Sequence, residues 1–210
     1  MELRGGPVDG PQVLTGLPTD LSPGLVAAVA AETRVALEPF LDADWSVPAR
    51  GLDWSCARTA VHLADSQFAH AARIVARPTE WFVPATVVVD EPGDPRQLLQ
   101  VFGACAGLLV AAATGADPSS RAYHPWGASD PAGSMAMGAA EGLLHTWDVV
   151  GGLGGDWRPP DDLCRPAIER LFPDAPTDVG AADALLWCTG RVALPGHPRR
   201  TEWRWYGEPR

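Results

Sequence analysis

The chain contains no lysine and no asparagine; all 16 basic residues are arginine, and isoleucine occurs only at Ile74 and Ile168. Without lysine there is no amine for Schiff-base chemistry and no lysine general base. Without asparagine there is no N-glycosylation site. Cysteine is sparse. Cys56, Cys105, Cys164 and Cys188 are far apart and form no Cys-x-x-Cys pair, which favours buried thiols over disulfides or a zinc knuckle. No apolar run reaches membrane-spanning length, and the run Ala104–Ala113 reads as a buried helix. The opening Met1-Glu-Leu-Arg-Gly-Gly-Pro7 lacks the basic-then-apolar order of a signal peptide. The expected location is therefore the cytoplasm. No serine nucleophile elbow, phosphate loop or dinucleotide fingerprint is present. Gly151-Gly-Leu-Gly-Gly155 follows a helical pattern instead of a strand and reads as a helix stop.

What is present describes a globular chain. At 210 residues, 46% hydrophobic and 20% charged, it can build one sizeable core, or one core plus a small appended lobe. A net charge of −10, with no stretch that concentrates arginine, argues against nucleic acid and against an anionic membrane. The residue bias suggests a GC-rich genome.

Helix punctuation is clear along the chain. Residues 1–21 are rich in Gly and Pro and read as a loose arm. Ser22-Pro23 opens a first helix reaching about Leu41. Ser55 caps a second helix through roughly Ala76, ended by Pro78. Trp81–Val89, β-branched and broken by Pro84, reads as an extended crossover. Asp94-Pro95 opens a third helix to about Ala113, and a fourth runs from near Pro131 to Val150. Two short helices are expected over 161–172 and 181–190, followed by an aromatic or extended close, Arg199–Tyr206. The expected fold is mainly α: a four-helix bundle over 22–155 with a long crossover connection, then a short C-terminal extension or small lobe over 156–210.

The chemistry concentrates in Met135–Asp148. There Glu141 and His145 stand four residues apart among Ala, Gly, Leu and Trp. On a helix that spacing puts both on one face, and two polar groups in such surroundings are costly unless paired or coordinated. A carboxylate and an imidazole make two-thirds of a facial metal site, and His62 on the second helix is the obvious third ligand. The blander reading, a surface Glu–His pair, needs no metal. Asp148 continues the same face and could orient His145, and Asp65 stands in the same relation to His62. Arg58, one turn before His62, or Arg121 could grip a carboxylate. His70, His124 and His197 are weaker candidates, and Cys56 at a helix start could be a thiolate or a buried small residue. Trp54 and Trp147 could wall a pocket.

These residues carry a resemblance. Gly51-Leu-Asp-Trp-Ser-Cys-Ala-Arg-Thr-Ala-Val-His-Leu63 resembles the motif opening the second helix of mycothiol-dependent maleylpyruvate isomerase-like proteins. Ala140-Glu-Gly-Leu-Leu-His-Thr-Trp-Asp148 resembles their Glu-x-x-x-His-x-x-Asp segment. Ala184-Leu-Leu-Trp-Cys-Thr-Gly-Arg191 also looks family-like. Those proteins belong to the DinB-like superfamily of four-helix-bundle metalloproteins. The resemblance implies a metal, usually zinc, on His62, Glu141 and His145. It also implies mycothiol, the small thiol of actinobacteria, as cosubstrate, which agrees with the genomic bias.

The function expected is a metal-dependent isomerase or thiol S-transferase, with Arg58 and Asp148 as catalytic candidates. Its partners would be a small thiol and a small electrophilic substrate, and a homodimer is compatible. The chain after residue 155 looks shorter than the C-terminal lobe of the characterised isomerase, so maleylpyruvate itself is not expected. The alternatives are a non-catalytic metal- or ligand-binding bundle with a stress or regulatory role, and a metal-dependent hydrolase.

Overall fold

The computed structural model describes residues 20–89 and 93–210, so the arm expected over 1–21 lies outside the described residues as far as residue 19. The described residues form six α-helices and no strand: α1 Pro23–Leu37, α2 Cys56–Ala76, α3 Pro95–Thr114, α4 Pro131–Gly152, α5 Asp161–Leu171 and α6 Ala181–Cys188. A single 3-10 turn, Glu38–Phe40, follows α1. The chain is mainly helical, and its four long helices pack as a bundle: α2 lies against α3 and α4, and α1 against the same two.

Capping chemistry sets most helix starts. Ser55 Oγ accepts from Arg58 N at 3.1 Å, Asp94 Oδ1 from Arg96 N at 3.0 Å, and Asp130 Oδ1 from Gly133 N at 2.7 Å. Each capping side chain takes up one of the orphan amides that a helix start leaves unpaired. Pro95 and Pro131 fill first-turn positions where a missing N–H costs nothing. Ser22 makes no side-chain cap, although Pro23 begins α1 as expected. Arg77 closes α2 in the left-handed region (φ 49°), directly before Pro78.

Three local expectations change. α4 stops inside the expected glycine run, where Gly154 takes the left-handed position (φ 82°) and Gly155 N–H donates to Val150 O at 2.9 Å, but it ends two residues past Val150, with Gly151 and Gly152 still helical. These glycines are packing residues: a Cβ on Gly152 would stand 2.5 Å from Pro48 O, 2.7 Å from Ala49 Cα and 2.8 Å from Cys56 Sγ. The 48–50 connection crosses directly over them, and Arg50 N donates to Asp148 O at 2.8 Å. α6 ends at Cys188, two residues early, because Gly190 turns into the left-handed region (φ 69°). α3 proves long and apolar enough, by length and composition, to cross a bilayer. The uninterrupted run Ala104–Ala113 leaves out the apolar Leu98, Leu99, Val101 and Phe102 before it. In the fold Leu98, Phe102, Cys105, Ala106, Leu109 and Ala113 form its buried side, and the helix packs against α1 and α2.

The crossover 81–89 is extended without any ladder. Asp65 Oδ1 pins it by accepting from Val87 N at 2.7 Å and Thr86 Oγ1 at 2.9 Å. At the other end, α5 and α6 share one apolar cluster with α1 and α4, built on Leu25, Val29, Leu143, Leu163, Leu171 and Leu185. Arg170 ties the chain end back by donating to Tyr206 O at 3.0 Å and Gly207 O at 2.9 Å. The closing segment is aromatic packing, with Trp203 and Trp205 rings 4.9 Å apart.

Candidate metal centre

The α2–α4 seam is narrow because α4 presents small residues to its neighbours. A Cβ on Gly138 would lie 3.0 Å from Gln67 Oε1 and 2.6 Å from Leu109, and one on Gly142 would lie 2.5 Å from Val29. Gln67 uses that proximity to donate to Gly138 O at 2.9 Å. One turn further along each helix, the same closeness brings His62 of α2 to Glu141 and His145 of α4.

The three side chains converge. Glu141 Oε2 lies 3.0 Å from His145 Nε2 and 3.6 Å from His62 Nε2, and one donor atom from each residue falls within 4.8 Å of the others. The two imidazoles stand nearly perpendicular, centroids 5.0 Å apart. Glu141 Oε2 is buried yet accepts no hydrogen bond among the described residues. A buried carboxylate oxygen without a hydrogen bond is expensive even beside an imidazole. Two ring nitrogens and one such oxygen, on facing helices, are a donor set that suits a divalent ion. The residues present therefore fit a metal.

The electrostatics agree. Burial works to raise the Glu141 carboxyl, but the two imidazoles beside it hold it well below the usual carboxylate range. Burial works to lower His145, yet Asp148 and Glu141 on its two nitrogens raise it to about 9. Without a metal, then, His145 carries the proton that compensates Glu141.

Asp148 is 1% exposed and serves two partners. His145 Nδ1 donates to its Oδ2 at 3.0 Å. Arg191 grips it with a fork, Nε to Oδ1 at 2.9 Å and the terminal nitrogen to Oδ2 at 2.6 Å. Burial alone would raise the Asp148 carboxyl, but His145 and Arg191 lower it. Asp148 thus stands as the orienting acceptor of His145, a relation common to metal-ligating histidines.

A cavity of about 720 Å³ opens onto these groups. Its walls include Arg50, Arg191, Arg199, Trp54, Trp147 and Trp203. Arg50 stacks over Trp147 at 4.1 Å, and Arg199 Nε donates to Gly190 O at 2.5 Å. Neither Arg50 nor Arg199 forms an ion pair among the described residues.

The remaining candidates fall elsewhere. Arg58 is exposed and lies over the Trp54 ring at 4.6 Å, while the same ring packs against His62 at 5.2 Å. Arg58 lines the neighbouring groove with Trp45 and Val61 and is not among the residues lining the metal cavity. Arg121 donates to Pro118 O and Ser120 O in its own loop. Asp65 holds the crossover and makes no hydrogen bond to His62. His70 Nδ1 pairs with the buried Arg73 at 2.5 Å, and burial drives His70 well below its ordinary value. His124 Nδ1 accepts from Trp126 N, and burial lowers its pKa to about 4. His197 is half-buried against Trp187. Cys56 is fully buried, and desolvation pushes its thiol up to about 11, so it is no thiolate despite its place at a helix start. All four cysteines are free and buried.

Sequence reasoning missed Arg50, Arg191 and Arg199 as cavity residues. Arg50 and Arg199 sit in irregular segments with no periodic signal. Arg191 had one indication, the family-like Thr189-Gly-Arg191 at the end of a helix. No family model, curated protein or solved structure matches the chain.

Proposed function

We propose that the chain is a DinB-like metalloenzyme that holds a divalent ion, zinc foremost, on His62, Glu141 and His145. It joins a small thiol of the mycothiol kind to an electrophilic substrate, or isomerises that substrate through the thiol. The observation that carries this reading is the buried, unbonded Glu141 Oε2 facing two imidazole nitrogens. When bound, the ion supplies a Lewis acid that lowers the pKa of a thiol or polarises a substrate oxygen.

The residues around it divide the remaining work. Asp148 keeps the Nδ1 proton of His145 engaged, which leaves Nε2 to face Glu141. Arg50 and Arg199, without acidic partners among the described residues, suit the anionic end of a substrate better than Arg58, which stands beyond Trp54. Trp54, Trp147 and Trp203 offer flat apolar walls against which a substrate can pack. Four buried free thiols support a reducing compartment, the cytoplasm.

Zinc-loaded protein, incubated with mycothiol and a panel of activated electrophiles and read by mass spectrometry, should form a thiol adduct or an isomerised product. The Glu141→Gln variant should not. Product formed equally without thiol would favour a hydrolase instead. No turnover by a metal-loaded protein would leave the binding bundle as the better description.

A further inference from the structure

The end of α6 is built to aim one side chain. Gly190 N–H donates to Trp187 O at 3.0 Å and Arg191 N–H to Leu186 O at 2.8 Å, the paired bonds of a Schellman turn with glycine in the left-handed position. A Cβ on Gly190 would lie 2.7 Å from Arg200 O, so the turn is also locked from outside. Arg191 leaves this turn in a fixed direction, and its guanidinium meets both oxygens of Asp148. A planar fork on a carboxylate fixes orientation as well as distance. Asp148 is held in place, because it is 1% exposed, Arg191 engages both of its oxygens and its Oδ2 is shared with His145 Nδ1.

We propose that Arg191 is a positioning residue for the metal centre. Through Asp148 it holds the His145 ring with Nδ1 committed and Nε2 directed at Glu141, so α6 and its terminal turn are part of the centre. This inference rests on the metal reading above. Two consequences follow from thermodynamic reciprocity: docking of 181–191 strengthens metal binding, and metal binding strengthens that docking by the same factor. A purely structural arginine that only tied down the C-terminal segment would stabilise the fold without altering metal affinity.

The test uses the full chain with cobalt(II), titrated against a competing chelator, and hydrogen exchange with and without the ion. Arg191→Met should bind cobalt about 10–100-fold more weakly, the range typical for losing an outer partner of a ligand. It should also shift the visible cobalt bands and lose the metal-dependent slowing of exchange across Ala181–Arg191. Arg191→Lys restores the charge without the fork and should fall between. Parental affinity and spectrum in Arg191→Met, with its helical circular dichroism intact, would overturn the proposal. Should Arg191→Met lose its helical signal, Arg191→Lys decides: weakened cobalt binding supports the role, and parental binding overturns it. A parent chain that takes up no cobalt overturns the metal reading and this inference together.

Discussion

His62 Nε2 on α2 and Glu141 Oε2 on α4 face each other across 3.6 Å, and the oxygen, ion-paired with His145 Nε2 at 3.0 Å, has no hydrogen bond among the described residues. Glu141→Gln keeps the shape and removes the charge. We expect metal affinity to fall by more than the roughly 100-fold that loss of an outer partner costs. Helix content should be unchanged. A chelator-competition titration with circular dichroism on the same samples checks both.

The metal-free protein should be most stable near pH 6.5, for two opposed reasons. His145 is raised to about 9, so the folded state keeps a proton that the unfolded chain releases. That contribution is fully present below about 6.5 and is lost as pH rises through 9. His70 and His124 are lowered, the latter to about 4, so the unfolded chain takes up protons that the folded state refuses. Their contribution is present above about 6.5 and is lost as pH falls towards 4. Urea midpoints at pH 5, 6.5 and 9 should therefore peak at the middle value. A flat profile would contradict it.

Gly152→Ala and Gly103→Ala should have opposite signs. At Gly152 the new methyl meets backbone of Pro48 and Ala49, which cannot move cheaply, and a loss of about 1–3 kcal/mol is expected. At Gly103, exposed within α3 with nothing within 4 Å, alanine should stabilise by about 0.5–1 kcal/mol. Chemical denaturation of the two variants beside the parent reads the difference.

This contrast also marks how far the fold was legible. Ser55, Asp94, Pro95 and Pro131 announce helix starts through bonds local to their own turns, so sequence alone places them. Glu141 and His145 are legible for the same reason: their relation lies within one helix. The glycine run after Val150 is legible as a helix stop, but the close-packing role of Gly151 and Gly152 shows only once Pro48–Arg50 is seen lying across them. Arg191 and Arg50 reach the cavity only through turns set by tertiary packing. Arg58 had the right spacing from His62, but Trp54 fills the intervening space.

Arg73 is 2% exposed, has no carboxylate partner among the described residues and has its pKa lowered to about 10 by burial. Its Nε is buried without a hydrogen bond. Replacing such a cation with an apolar side chain of similar length removes a desolvation cost. Arg73→Met should accordingly be neutral or stabilising, by up to about 1–4 kcal/mol. Urea unfolding of the variant checks the sign.

The four cysteines should resist alkylation in the folded state. Each is buried and desolvation raises each thiol, Cys188 to about 12. Iodoacetamide should label none of them in buffer and all of them in denaturant, as counted by intact mass.

Elemental analysis of untagged protein, parent beside the His62→Ala/His145→Ala variant, bears most directly on the metal centre. One equivalent of divalent metal in the parent, absent from a variant that keeps its helical spectrum, is the predicted result. A parent that holds no metal even after reconstitution, or a double variant that holds as much as the parent, would contradict it.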